Sequence, residues 1–260
     1  MNRINKLFKE NKNRKLLSLY FCAGCPTLEG TGNVILTLQE RGIDMIEVGI
    51  PFSDPLADGP VIQSAGTVAL KNGMTLRLLF QQLKEIKEMV RIPLVMMGYL
   101  NVIMHYGIEE FCKSCVECGV SGMIIPDLPF KDYIEDVKPI ADRYDLRVIM
   151  MITPETSDDR IRFIDNNTDG FIYMVSSASI TGAQKCFDEA KQDYFRHINS
   201  MNLRNPRMIG FGISNKQTLD SANANAAGAI IGSKFVTLLN DSNGDAEKAI
   251  DNLYEALEKG

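Results

Sequence analysis

Short runs of β-branched and aliphatic residues recur eight times along the chain, and the segments between them space their apolar residues three and four apart. The runs are LLSLYFC (16–22), DMIEVGI (44–50), PLVMMG (93–98), SGMIIP (121–126), RVIMMI (147–152), GFIYMV (170–175), RMIGFG (207–212) and GAIIGS (228–233). Strands that are apolar on both faces belong in a parallel sheet covered by helices. The helical period is clearest in TLRLLFQQLKEIKEMV (75–90), where Leu76, Leu79, Phe80, Leu83 and Val90 share one face and Lys84, Glu85, Lys87 and Glu88 the other. It recurs in VILTLQERG (34–42), GIEEFCKSCVECG (107–119), DYIEDVKPIADRY (132–144), DDRIRFIDNN (158–167) and GDAEKAIDNLYEALEKG (244–260). Eight such units predict a closed (β/α)8 TIM barrel. A doubly wound open sheet is the alternative, but CAGCP after the first run lacks the glycine fingerprint that usually marks it. The opening MNRINKLFKENKNRK reads as an extra amphipathic helix ahead of the first strand. No linker or shift in composition divides the chain, so one barrel domain over 1–260 is expected.

Composition narrows the function classes. The chain has 260 residues and a net charge of -5, with lysine and arginine scattered, which gives no footprint for nucleic acid or an acidic membrane. No apolar run reaches bilayer length and no signal region follows the basic N-terminus, so a cytoplasmic location is expected. Among six cysteines, Cys112, Cys115 and Cys118 begin like an iron–sulfur ligand run but lack the fourth cysteine and proline. Their spacing is helical, which favours small half-buried thiols. Cys22 and Cys25 before Pro26 lack the surroundings of a redox pair. With only His105 and His197, neither a histidine-ligated metal nor a histidine triad is supported.

Chemistry in such a barrel belongs at the C-terminal ends of the strands. In the second run Met45, Glu47 and Gly49 share one face and Ile46, Val48 and Ile50 the other. The aliphatic set packs on helices, so Glu47 points into the barrel mouth, where desolvation raises its pKa. A structural glutamate paired with a buried donor is the other reading. Asp54 and Asp58 follow in a loop stiffened by Pro51, Pro55 and Pro60, a composition that a plain turn also uses. Tyr173 shares parity with Phe171 and Val175, so its hydroxyl reaches either the mouth or a backbone partner in the core. SSASITGAQKCFDEA (176–190) suits a mobile flap. Phe211-Gly212-Ile213-Ser214 and Gly232-Ser233 end the seventh and eighth strands, each opening a helix. With Thr181-Gly182 nearby they predict a phosphate pocket.

Over essentially its whole length the chain resembles the tryptophan synthase alpha subunit family. The motifs are EVGIPFSDPLADGP (47–60), IQSA (62–65), MGYLN (97–101), PDLP (126–129), ITG (180–182), GFGIS (210–214) and IGS (231–233). The resemblance implies a lyase of tryptophan biosynthesis on an eightfold barrel. It cleaves indole-3-glycerol phosphate to indole and glyceraldehyde 3-phosphate by a retro-aldol step without cofactor or metal. It implies that Glu47 is the general acid/base, that Asp58 binds the indole N–H and that Tyr173 is the active-site tyrosine. Gly182, Phe211, Gly212, Gly232 and Ser233 match the phosphate grip. Tyr20, Met97 and Ile124 fall where the indole ring is enclosed, and Thr181 matches a flap threonine. A pyridoxal-phosphate-dependent beta subunit is the implied partner, in an alpha2beta2 heterotetramer, with 54–60 and 100–105 at the contact. Ser179, Lys234 and Cys25 depart from the family pattern. A regulatory module without catalysis, or another phosphosugar barrel enzyme, would differ: the first should not need both acids, and the second should lack the 47–60 loop.

Overall fold

The computed structural model describes residues 1–176 and 186–258. Eight parallel strands close into a barrel in sequence order. They are β1 (Leu16–Cys22), β2 (Met45–Gly49), β3 (Leu94–Met97), β4 (Gly122–Ile124), β5 (Arg147–Ile152), β6 (Ile172–Val175), β7 (Arg207–Gly210) and β8 (Gly228–Ile231). Every one lies inside its predicted run. Closure is made by β1 against β8, with Leu16 opposite Gly228 and Leu19 opposite Ile231. Gly228 is required there, because a Cβ would collide with the Leu16 carbonyl.

The helices form the outer ring. They are α1 (Arg3–Glu10), α2 (Thr31–Glu40), α3 (Pro60–Lys71), α4 (Leu76–Ile86), α5 (Leu100–Tyr106), α6 (Ile108–Glu117), α7 (Phe130–Asp132), α8 (Lys138–Arg143), α9 (Asp158–Asn167), α10 (Glu189–Ser200), α11 (Lys216–Asn225), α12 (Ser233–Asp241) and α13 (Ala246–Glu258). The expected face of 75–90 is buried, yet the helix stops at Ile86 and a single 3-10 turn carries the chain on to buried Val90. The expected helix over 132–144 is also interrupted. A wide π turn, Tyr133–Val137, precedes α8, where Pro139 has no N–H to bond the preceding turn. Periodicity had not marked α3 and α5 as separate helices after β2 and β3.

Two apolar layers separate cleanly. Ile46, Val48 and Ile50 belong to the large cluster between strands and helices. Met45, Val95, Ile124, Ile149, Phe171, Met208 and Ile230 form a second cluster inside the barrel. The predicted alternation on β2 therefore holds. α1 closes the barrel at the end where the strands begin: Ile4 is fully buried in the inner cluster, and the Phe8 ring lies 5.6 Å from Phe171. Chemistry is left to the other end. No helix among the described residues is long and apolar enough to cross a membrane.

Candidate active site

Glu47 is the fourth residue of the second run and sits in the middle of β2, opposite Tyr20 on β1 and Val95 on β3. Strand alternation turns it inward, and it is fully buried. Its Oε1 accepts a long hydrogen bond from Ser18 Oγ at 3.4 Å, and its Oε2 has no partner. Good hydroxyl–carboxylate bonds are nearer 2.5–3.0 Å, so the charge on Glu47 is poorly compensated. Burial accordingly pushes its pKa up to about 8, with the Ser18 bond opposing only weakly. The carboxyl is mostly protonated at neutral pH.

Asp58 reaches the same cavity from the loop between β2 and α3. The loop folds on itself: the Asp58 N–H donates to the Pro55 carbonyl at 3.1 Å, and Gln63 Nε2 donates to the Asp58 carbonyl at 2.8 Å. The Tyr99 hydroxyl then fixes the side chain. It donates to Asp58 Oδ2 at 3.0 Å and accepts the Ala57 N–H at 3.0 Å, while the Phe52 ring packs 5.2 Å from its own. Burial raises the Asp58 pKa to about 6, and the Tyr99 bond holds it down from rising further. At neutral pH Asp58 is mostly ionised. Two carboxyl groups thus share one cavity in opposite protonation states, set by what surrounds each.

The cavity, about 670 Å³ with its open mouth included, is lined by Tyr20, Glu47, Asp58, Met97 and Tyr173. Tyr20 and Tyr173 are buried, and each lies across a glycine on the neighbouring strand. A Cβ at Gly49 would collide with the Tyr20 hydroxyl, and one at Gly210 with that of Tyr173. The strand glycines therefore make room for the two phenols.

Phe211, Gly212, Gly232 and Ser233 line it too, the Phe211 ring 6.0 Å from that of Tyr173. Phe211 and Gly212 both take positive φ, 69° and 78°, a conformation uncommon for phenylalanine. The Ser176 hydroxyl holds it by donating to the Phe211 carbonyl at 2.7 Å. The two turns differ in one respect from the expectation that both open a helix at the pocket. After β7 the helix begins only at Lys216, and its first turn is closed by the Asn215 side chain, which accepts from the Thr218 N–H at 3.0 Å. After β8, α12 begins at Ser233 directly behind Gly232, with no side chain capping it. Of the helices after β7 and β8, only α12 presents an uncapped N-terminus beside the cavity, which suits an anion.

Of the other residues expected at the site, Ile124 is fully buried in the inner cluster beneath the cavity with Met97 and Tyr173, and does not line it. Thr181, Gly182 and Ser179 lie outside the described residues. Sequence reasoning missed Gly59 and Ile62, which wall the cavity just past Asp58, whereas Ser214, expected in the phosphate pocket, lines it. It also missed Tyr99, although MGYLN puts a tyrosine just past the end of β3. Lys234, one of the departures from the family pattern, lines the cavity. The cysteines lie elsewhere. Cys112, Cys115 and Cys118 are buried around α6, Cys118 donating to the Phe80 carbonyl at 3.2 Å, and burial raises the pKa of all three thiols. Cys25 is buried too, its thiol 3.4 Å from Asn240 Oδ1.

Comparison with known proteins identifies the family. A sequence model described as tryptophan synthase alpha chain matches residues 7–259. The chain is 68% identical over 257 residues to a tryptophan synthase alpha chain of Phocaeicola vulgatus, covering 99% of each. To that of Bacteroides fragilis it is 64% identical, covering 99% of this chain and 97% of the relative. Among solved structures, subunit alpha from Legionella pneumophila superposes with a TM-score of 0.88 at 29% identity over 100% of both chains. The Pyrococcus furiosus subunit gives 0.85 at 32% identity, covering 95% of this chain and 98% of that one. A barrel whose mouth pairs a protonated with an ionised carboxyl group, carried on a sequence this close to its relatives, belongs to the tryptophan synthase alpha chain family.

Proposed function

We infer that the cavity at the C-terminal end of the strands cleaves indole-3-glycerol phosphate to indole and glyceraldehyde 3-phosphate, the alpha-chain step of tryptophan biosynthesis, and that Glu47 and Asp58 carry it. The protonated Glu47 carboxyl gives its proton to C3 of the indole ring. The ring becomes an iminium, and the ionised Asp58 accepts its N–H and offsets the new positive charge. Glu47, now a carboxylate, takes the proton of the hydroxyl on the adjoining glycerol carbon. That oxygen becomes the aldehyde oxygen as the bond between this carbon and C3 breaks, and the bonding pair returns to the ring to neutralise the iminium. One proton enters and one leaves through the same carboxyl group, so no outside acid or base is consumed. The cost of an ionised Glu47 is met only transiently, which is the reason for keeping it unpaired.

Tyr20, Met97 and Tyr173 enclose the ring, while the glycine turns after β7 and β8 and the first turn of α12 receive the phosphate. The observation that carries the reading is the wholly buried Glu47, one oxygen free of any partner, on the wall of a cavity that Asp58 also enters. It is tested by Glu47→Gln: indole release should vanish while circular dichroism shows an intact barrel, and retained turnover would end the assignment. A beta chain is the partner, and we take it to be pyridoxal-phosphate-dependent and joined in an alpha2beta2 assembly. Leu56 and Met104, 84% and 60% exposed on the Asp58 loop and on α5, support a contact there, because Tyr99 ties those two segments together beside the cavity mouth.

A further inference from the structure

We propose that Lys234 is a phosphate-binding residue of this chain, a cation added to a grip otherwise made of backbone N–H groups, and that it sets the affinity for phosphorylated substrates. The proposal rests on the assignment of the cavity above and goes one residue beyond it.

Lys234 is the second residue of α12 and lines the cavity beside Gly232 and Ser233. A lysine is out of place there. The N-terminus of a helix carries the positive end of the peptide dipoles, and a cation in the first turn is disfavoured. α12 has no acidic residue in its first turn and no side-chain cap to offset it. Lys234 is half-buried, so water screens it incompletely, and no ion-pair partner for it is found among the described residues. Among the described residues it is also the sole cation that lines the cavity, alongside two carboxyl groups.

Two cations elsewhere are placed as the dipoles favour. Lys15 Nζ donates to the Ala226 carbonyl just past the end of α11 at 2.8 Å, and Arg204 donates to the Asp165 and Thr168 carbonyls at the end of α9 at 2.9 and 2.6 Å. Lys234 instead sits against the dipole, at an uncapped helix start beside the cavity. A dianionic phosphate bound at Gly232-Ser233 removes the conflict. It accepts the first-turn N–H groups, outweighs the dipole, and supplies the missing counter-charge to the ammonium.

The experiment is steady-state cleavage by the chain alone and with its beta partner, for the wild type, Lys234→Met and Lys234→Arg. Lys234→Met keeps the aliphatic stem and removes the charge. It should raise KM for indole-3-glycerol phosphate about tenfold and change kcat by less than about twofold, and Lys234→Arg should restore most of the loss. Inhibition by glycerol 3-phosphate should weaken by the same factor, whereas binding of indole, which has no phosphate, should be unaffected. The wild-type KM should climb with ionic strength more steeply than that of the methionine variant. Unchanged KM and unchanged inhibition by glycerol 3-phosphate in Lys234→Met would overturn the proposal. Equal weakening of indole would also overturn it, by showing that the side chain only packs. A wild type that releases no indole would instead refute the cavity assignment, a result separate from either.

Discussion

Two buried carboxylates, Asp165 at the end of the barrel where the strands begin and Glu47 at the end where they finish, show how differently the two ends are built. Asp165 is 5% exposed and its oxygens are satisfied: Oδ2 accepts the Arg204 N–H at 2.7 Å, and Oδ1 accepts the Asn205 N–H and side-chain amide at 2.8 and 2.9 Å. Glu47 is more deeply buried and has one long bond and one orphan oxygen. The first arrangement stabilises a negative charge, and the second penalises it. The same contrast runs through the surroundings. Cations sit on helix carbonyls at the closed end, while the open end holds Phe211 at positive φ, a helix start without a cap and a lysine against the dipole. One end holds the barrel together, and the other retains unmet interactions that a substrate completes.

The contrast can be broken most sharply at Glu47. Glu47→Gln should lower indole release by at least about a hundredfold, and up to about ten-thousandfold, with little structural change, as measured by single-turnover cleavage. Asp165→Ala should do the reverse. It leaves several buried donors without an acceptor, and urea unfolding should show a loss of roughly 3 kcal/mol while the folded fraction keeps its kcat.

A third expectation sharpens the comparison through pH. Because the folded chain raises the Glu47 pKa from 4.5 to about 8, the native state binds more protons than the unfolded state between those values. Stability contributed at this site therefore falls as pH rises from about 4.5 to about 8, and is lowest above 8. Glu47→Gln, which cannot ionise, should match the wild type near pH 4.5 and exceed it in melting temperature at pH 8.5. A wild type equally stable relative to the variant at both pH values would contradict an uncompensated glutamate.

The smallest effect is expected at Tyr99. Tyr99→Phe removes the hydroxyl that stabilises ionised Asp58, so the Asp58 pKa should rise above about 6. The acid limb of the kcat/KM profile should then move to higher pH, with activity at neutral pH reduced about three- to tenfold. An unmoved limb would remove Tyr99 from the account.

How much of this was legible beforehand follows from how local each feature is. All eight strands could be read, because a strand buried on both faces announces itself in consecutive residues. Glu47 could be placed inward for the same reason: alternation along five residues decides its side. Asp58 carried only a loop composition shared with plain turns, and its role came from resemblance to a family. Tyr99 and Asp58 are 41 positions apart, and Asp165 meets Asn205 across 40, so neither pairing leaves a trace in any short window. The break over 132–144 was signalled by Pro139, which the helical period outweighed in the reading. The uneven phosphate turns depended on Asn215 capping one helix and nothing capping the other, a distinction in side-chain direction that composition does not carry.

The central claim is that Glu47 awaits the substrate as a neutral acid. Infrared difference spectra between wild type and Glu47→Gln, recorded from pH 5 to 9.5, isolate the signal of this one side chain. A protonated carboxyl band that persists at pH 7 and gives way to carboxylate near pH 8 is the predicted result, and a carboxylate already fully formed at pH 6 would contradict it.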